Sequence, residues 1–208
     1  MTLPGASPAC GEWRLRLMAA LSLAGFWQEV VRQWLAQPTH PTLLALAITE
    51  TLNLLLLLSS RTPASRDTRP GSTIASLLAT FHFLALDLRA QSHWLPETLS
   101  MGLILSGFLW QIYAKLSLGR AFGWLPAHRG IVTRGAYRWV RHPIYLGYLL
   151  SHCGFLASHA TLRNTLVYAL LYLLQALRMA REERWLSCDP AYRHYRQRVR
   201  WRILPGVY

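Results

Sequence analysis

The chain has 208 residues, 52% of them hydrophobic, with 22 Lys+Arg against 9 Asp+Glu and a formal charge of +13. Charged residues make up only 15%, where soluble domains carry roughly 25%. That apolar content excludes a disordered chain, and the absence of an internal period excludes a collagen-like or repeat protein. Cys10, Cys153 and Cys188 lie far apart with no CxxC and no zinc-finger histidine spacing, which argues against a disulfide scaffold or a metal site.

Apolar runs organise the rest. A helix needs roughly 20 mainly apolar residues to cross a hydrocarbon core of about 30 Å. On that measure spans are predicted near 15–35, 41–58, 72–88, 98–118, 143–160 and 163–180. The first is the weakest, because Glu29 and Arg32 interrupt its second half. An interfacial helix or a signal-peptide core behind Arg14 and Arg16 are its alternatives; with no small-x-small cleavage site following, it is read as a span. The second span carries Glu50 and Asn53 and the third His82, polar groups that are costly in a bilayer and face a bundle interior. Glu50 and His82 fall at similar depths in adjacent antiparallel spans and are expected to pair. Loop 59–71, rich in Pro, Ser and Arg, reads as a connector. The short 161–163 connection makes the last two spans a helical hairpin.

Charge placement tests this layout. With both termini inside, 19 of the Lys and Arg residues fall on the inner segments, and only Arg32, Arg89 and Arg163 fall outside. That is a strong positive-inside bias. The predicted fold is an all-α, polytopic transmembrane bundle of five to six helices, a single domain over 1–208, with a cytoplasmic tail. The soluble parts reduce to 119–142 and 181–208, so chemistry belongs where the last helices meet those segments.

Three clusters stand there. In Arg134-Gly-Ala-Tyr137-Arg138-Trp-Val-Arg141-His142-Pro143-Ile-Tyr145-Leu-Gly147, Pro143 suits the first turn of a helix. A helix N-terminus flanked by Arg141 and His142 suits a carboxylate or phosphate. The plainer reading makes these arginines positive-inside anchors with an interfacial aromatic belt. In Arg178-Met-Ala-Arg181-Glu182-Glu183-Arg184, two adjacent acids close the last span against the helix dipole, so a positive partner is expected. Arg178 and Glu182 form an i,i+4 pair, and a solvated charge-paired helix end is the bland alternative. The tail, Tyr192 to Gly206, holds six Arg or His residues among aromatics. Beside a membrane, attraction to anionic lipid explains it and nucleic acid does not. The Pro205-Gly206 ending suggests that the tail folds back as a lid.

At these clusters the chain resembles the integral-membrane methyltransferases typified by isoprenylcysteine carboxyl methyltransferase, whose C-terminal pattern phospholipid N-methyltransferases share. The carriers are LGR at 118–120, GAYRWVRHPIYLG at 135–147, EER at 182–184, Tyr192xxTyr195 and LPG at 204–206. The resemblance covers 98–208, a cofactor-binding half, and leaves 1–97 as variable helices. It implies S-adenosylmethionine (SAM) at the cytoplasmic face. Arg141, His142, Pro143 and Tyr145 would line the cofactor's amino-acid end, flanked by Tyr137 and Gly147. Glu182 and Glu183 would contact or position it, and Tyr192 and Tyr195 would close the pocket. Ala136 stands where the family often has proline, and Cys188-Asp189-Pro190 replaces its usual Phe-Gly.

Methyl transfer asks an enzyme to align acceptor, methyl and sulfur and to exclude water. Arg138 and Arg178 are candidates to orient an acidic acceptor, and Glu183 joins them as a candidate catalytic group. The acceptor expected is lipophilic or small: a prenylcysteine-like carboxylate, a phospholipid amine or a thiol, entering from the bilayer. The alternatives are an NADPH-dependent membrane reductase of the sterol-reductase type and a non-catalytic membrane protein.

Overall fold

The computed structural model describes residues 9–36, 38, 41–61, 65–66, 78, 82–87, 94–122, 127–128 and 130–207. These are overwhelmingly helical: α1 (Ala9–Ala36), α2 (Pro41–Ser59), α3 (Glu97–Leu118), α4 (Pro143–Ser158), α5 (Leu162–Leu186) and α6 (Pro190–Arg198). Turns of 3₁₀ helix occur at His82–Ala85, Gly119–Ala121 and Gly135–Arg138. A two-residue antiparallel bridge, β1 (Ser65–Arg66) with β2 (Ala127–His128), is the only strand pairing among the described residues.

Five of the predicted spans thus appear as helices near their expected bounds. The third, 72–88, lies mostly outside the described residues, and its described end at His82–Ala85 is a 3₁₀ turn where an α-helix was expected. Among the described residues only Glu97–Ala121 combines the length and the apolarity needed to cross a membrane; Leu44–Ser59 is apolar but shorter. Length and hydropathy therefore support one span where five or six were expected. α4, with 16 residues, is too short, and α1 and α5 carry charged or polar groups. In α1, Glu29 and Arg32 pair at 2.8 Å and Gln33 Nε2 donates to the same carboxylate at 2.8 Å. In α5 the inward positions include Asn164, Gln175 and Glu183.

That inward face has a definite pattern. Asn164, Tyr168, Leu171, Gln175, Met179 and Glu183 are buried along one side of α5. Leu162, Leu166, Leu170, Leu173 and Leu177 are exposed along the other. Both sets step by three or four residues, the period of a helix face. A water-soluble helix orients these classes the other way round.

The remaining ties hold the helices in register. Trp27 Nε1 donates to Thr51 Oγ1 across α1 and α2 at 2.8 Å. The ends of α2 and α3 meet where Arg61 N donates to Arg120 O at 2.8 Å and Arg120 Nε to Ser59 O at 3.1 Å. Thr161 caps α5 by accepting from Asn164 N at 3.1 Å. The Asn164 side chain donates to Asp87 O and His159 O and accepts from Asp87 N, holding the end of the third segment against the α4–α5 turn.

The most extensive helix contact joins α3 to α4. Gly107 on α3 and Gly147 and Gly154 on α4 allow it. A methyl added at Gly147 would stand 2.5 Å from Gln111 Cγ and 2.9 Å from Gly107 O. One added at Gly107 would meet Ser151 N at 2.5 Å, and one at Gly154 would meet Ser100 O at 2.6 Å. Small residues let two backbones approach where no hydrophobic force draws helices together. Trp110 Nε1 donates to Pro143 O at 2.9 Å and pins the start of α4 to α3. Gly107→Ala and Gly154→Ala are each expected to cost about 1–3 kcal/mol, the usual cost of overpacking. Gly102→Ala, which meets nothing within 4 Å, should be neutral or gain roughly 0.4–1 kcal/mol. Thermal unfolding in detergent compares the three.

Candidate active site

The site begins at the turn before α4. Gly135 has a φ of 60°, a left-handed conformation that favours glycine, and lies against Ser117. Ser117 Oγ accepts the N–H of Ala136 at 3.2 Å. Proline, the residue the motif prefers at 136, has no such donor, so this departure has a local partner. Pro143 then starts α4 at its first position and is fully buried.

Glu183, 2% exposed, reaches this point from α5. Its carboxylate accepts from Arg141 Nε at 2.8 Å and Nη2 at 3.4 Å, from His142 Nε2 at 3.1 Å and from Arg202 Nε at 3.0 Å. Arg141 Nη1 donates to the carbonyls of Val199 and Arg200 at 2.9 and 2.6 Å. The backbone N–H groups of Arg141 and His142 donate to Trp201 O and Arg202 O at 2.9 and 2.8 Å. The tail is therefore drawn back over the start of α4, as the Pro-Gly ending suggested. Burial pushes the Glu183 carboxyl up, but hydrogen bonds from His142 and Arg141 outweigh it and hold it at about 2. The carboxylate is ionised, so the shared proton sits on His142 Nε2.

This revises the reading of the motif. The anion expected in front of α4 is present, and it is the chain's own Glu183. Arg141 and His142 spend their donors on it and on the tail. Gly147 faces α3, and Gln111 and Gly107 occupy the space it leaves. Arg138 is exposed, its guanidinium over the Trp139 ring at 5.2 Å, and is not brought to Arg178.

Tyr192 and Tyr195 bury against Val199, Ile131, Tyr137 and Leu186. Tyr195 Oη donates to Tyr137 O at 2.7 Å. Asp189 caps α6 by accepting from Ala191 N at 2.8 Å, with Pro190 in the first turn. Burial, with Glu182 close by, raises the Tyr137 hydroxyl well above its ordinary range, so it stays a donor.

Glu182, next to Glu183, turns elsewhere. It acts electrostatically on Tyr137, Tyr145 and Arg178. The rings continue as a chain along α4: His142 to Tyr145 at 5.8 Å, Tyr145 to Tyr148 at 6.1 Å, Tyr148 to His152 at 6.0 Å. His152 Nδ1 bonds Tyr172 Oη at 3.0 Å and packs on Tyr168 and His82. His82 packs against His152 and Tyr168, and Glu50 acts on Lys115 and Tyr148 and accepts from Asn53 Nδ2 at 3.1 Å. Lys115, Tyr148 and Arg202 were not singled out from the sequence. Lys115 had a signal, as the only lysine in an arginine-rich chain.

The fold and the clamp define an all-helical protein with a polar interior gathered under a folded-back tail. Residues 100–188 match the model of the isoprenylcysteine carboxyl methyltransferase (ICMT) family. The chain is similar to protein-S-isoprenylcysteine O-methyltransferase A of Arabidopsis thaliana, at 32% identity over 101 residues, covering 39% of this chain and 51% of that protein. It spans about half the length of that curated relative. The C-terminal half of the chain is ICMT-like. The match runs from α3 through α5 and includes Arg141, His142, Glu182 and Glu183; α6 and Arg202 lie beyond it.

Glu183→Gln leaves Arg141 without its anion, and breaking a buried pair this way costs about 3–5 kcal/mol. The pH dependence has a definite sign. A carboxyl lowered from 4.5 to about 2 stabilises the fold above pH 4.5, by about 3 kcal/mol, and that contribution is lost as pH falls towards 2. Unfolding followed from pH 6 to 2 should show this loss in the native protein and its absence in Glu183→Gln.

Proposed function

We propose that the chain is a multi-pass integral-membrane methyltransferase that uses SAM and acts on a lipophilic acceptor at the cytoplasmic face. The observation that carries it is that the ICMT-like stretch assembles one polar interior, with Tyr145, Arg178 and Glu182 beside a clamped tail. The relative's name speaks of isoprenylcysteine O-methylation, which supports an acceptor with an apolar tail. The positive-inside count and the exposed leucine stripe of α5 support several spans, with polar residues facing inward.

The residues suit the cofactor's chemistry. SAM presents a carboxylate, an ammonium and a sulfonium. Arg178 would take the carboxylate, and Glu182 the ammonium or a ribose hydroxyl. The ring faces of Tyr145 and Tyr137 tolerate a nearby cation. Gln175 Oε1, one turn from Arg178 on α5, is buried with no donor among the described residues, an acceptor that suits a bound ligand. When bound, the cofactor supplies an activated methyl group. Arg141, His142 and Glu183 act as positioning residues, holding the tail closed and water out. Tyr192 and Tyr195 fill the space beneath α6. An acceptor carboxylate or thiolate needs no strong base here, whereas an ammonium first has to lose a proton.

Calorimetry with the detergent-purified full chain tests the reading. SAM should bind in the micromolar range, tenfold or more weakly in Glu182→Gln and Arg178→Met, with unfolding temperatures little changed. Absence of binding in lipid as well as detergent overturns it.

A further inference from the structure

Lys115 sits near the cytoplasmic end of α3 and is fully buried, with 0% exposure. Its place is unusual for so long a side chain. Within four residues the helix ends at Gly119, and a lysine that close to an interface normally extends its ammonium into the polar layer. Here the side chain turns inward, while its neighbours Tyr113 and Leu116 are exposed.

Inside, the ammonium is poorly served. An ammonium has three donors. One reaches Gln111 Oε1 at a long 3.4 Å, and the Tyr148 ring centre lies 5.8 Å away. Among the described residues no carboxylate comes within ion-pair distance of Nζ. Glu50 on α2 acts on both Lys115 and Tyr148 from further off. A buried charge left in this state is costly unless an anion completes it.

The position points to the anion's source. Tyr148 and Tyr145 stand in contact along α4. Arg178 and Glu182 of α5 act on Tyr145, while Lys115 of α3 meets Tyr148, on which Glu50 of α2 and Arg178 also act. The charged ligands proposed for the cofactor are on α5, and a second cation, from α3, faces the Tyr148 ring next to Tyr145.

We propose that Lys115 binds an anionic oxygen group, carboxylate or phosphate, carried by the methyl acceptor, and so fixes the acceptor's head opposite the α5 residues while its apolar part stays in the bilayer. This rests on the methyltransferase reading for the word acceptor, but the anion site stands on its own geometry. Neutral head groups leave the ammonium unpaired and are rejected for that reason.

The test uses the detergent-purified full chain and three probes with one tail: dodecanoate, dodecyl phosphate and the neutral dodecanamide. Titration calorimetry reads each probe, and SAM is titrated in parallel. Dodecanoate or dodecyl phosphate should bind the native protein at least tenfold more tightly than the amide, and which of the two is tighter identifies the anion. Lys115→Arg should keep that preference. Lys115→Met should lose it, retain SAM binding, and unfold at an equal or higher temperature, because it removes an incompletely paired buried charge. A merely structural lysine would instead make Lys115→Met less stable. Equal binding of the amide by the native protein overturns the proposal, as does an anion preference that survives in Lys115→Met or a joint loss of SAM binding in that variant. Failure of the native protein to bind SAM would sink the methyltransferase reading, while the probe comparison would still decide the role of Lys115.

Discussion

A carboxylate with almost no exposure to solvent survives only if its surroundings replace the water it has lost. Glu183 does this with four donor contacts from Arg141, His142 and Arg202. Each partner comes from a different stretch of chain from its own: the turn before α4, and the tail beyond α6. The same arginine uses its remaining donors on tail carbonyls, and the adjacent backbone N–H groups do likewise. One buried charge thus joins α5, α4 and the C-terminal segment at a single point. At the same end of the bundle the tyrosines of α6 are buried, and Tyr195 is hydrogen bonded to the turn it covers.

Helix α4 serves two purposes with two faces. Towards α3 it presents Gly147, Ser151 and Gly154, and the backbones approach until no added methyl would fit. Elsewhere it carries His142, Tyr145, Tyr148, His152, Phe155 and His159, whose rings run in sequence with Tyr168 along the helix. The rigid face fixes where the aromatic face stands. The adjacent pair Glu182 and Glu183 shows the same division over a single step. Successive helical residues point about 100° apart, so one acid enters the clamp and the other joins Arg178 and the tyrosines.

The distribution of polarity on α5 has opposite consequences in water and in hydrocarbon. Leucines line the outer face of α5, and an asparagine, a glutamine and a glutamate line its inner face. In water that arrangement would expose apolar surface and bury polar groups at a net cost. In hydrocarbon it is favourable, because polar groups then find partners only in the bundle interior. The inner polar positions also lower the hydropathy of α5, and among the described residues α3 is the one helix both long and apolar enough to cross a membrane.

Much of this was legible in the residue order. The apolar runs and their breakers placed α2, α3 and α4 within two residues at each end and the start of α5 within one, while α5 continues six residues past its expected end. Pro143 marked the start of α4, and the RHP, EE and YxxY elements pointed to one site. These are local signals: a helix face, a cap or a motif is written in neighbours three or four positions apart. The choice among possible partners was not local. Whether Arg141 serves an external anion or Glu183, 42 residues away, depends on how α5 and the tail return to the same place. Residue order is enough to mark most of the helical segments, the small and aromatic faces, and the places where charge gathers. Which charges meet is a property of the folded chain, because an ion pair in a low-dielectric interior is set by distances of a few ångströms between elements far apart in the sequence.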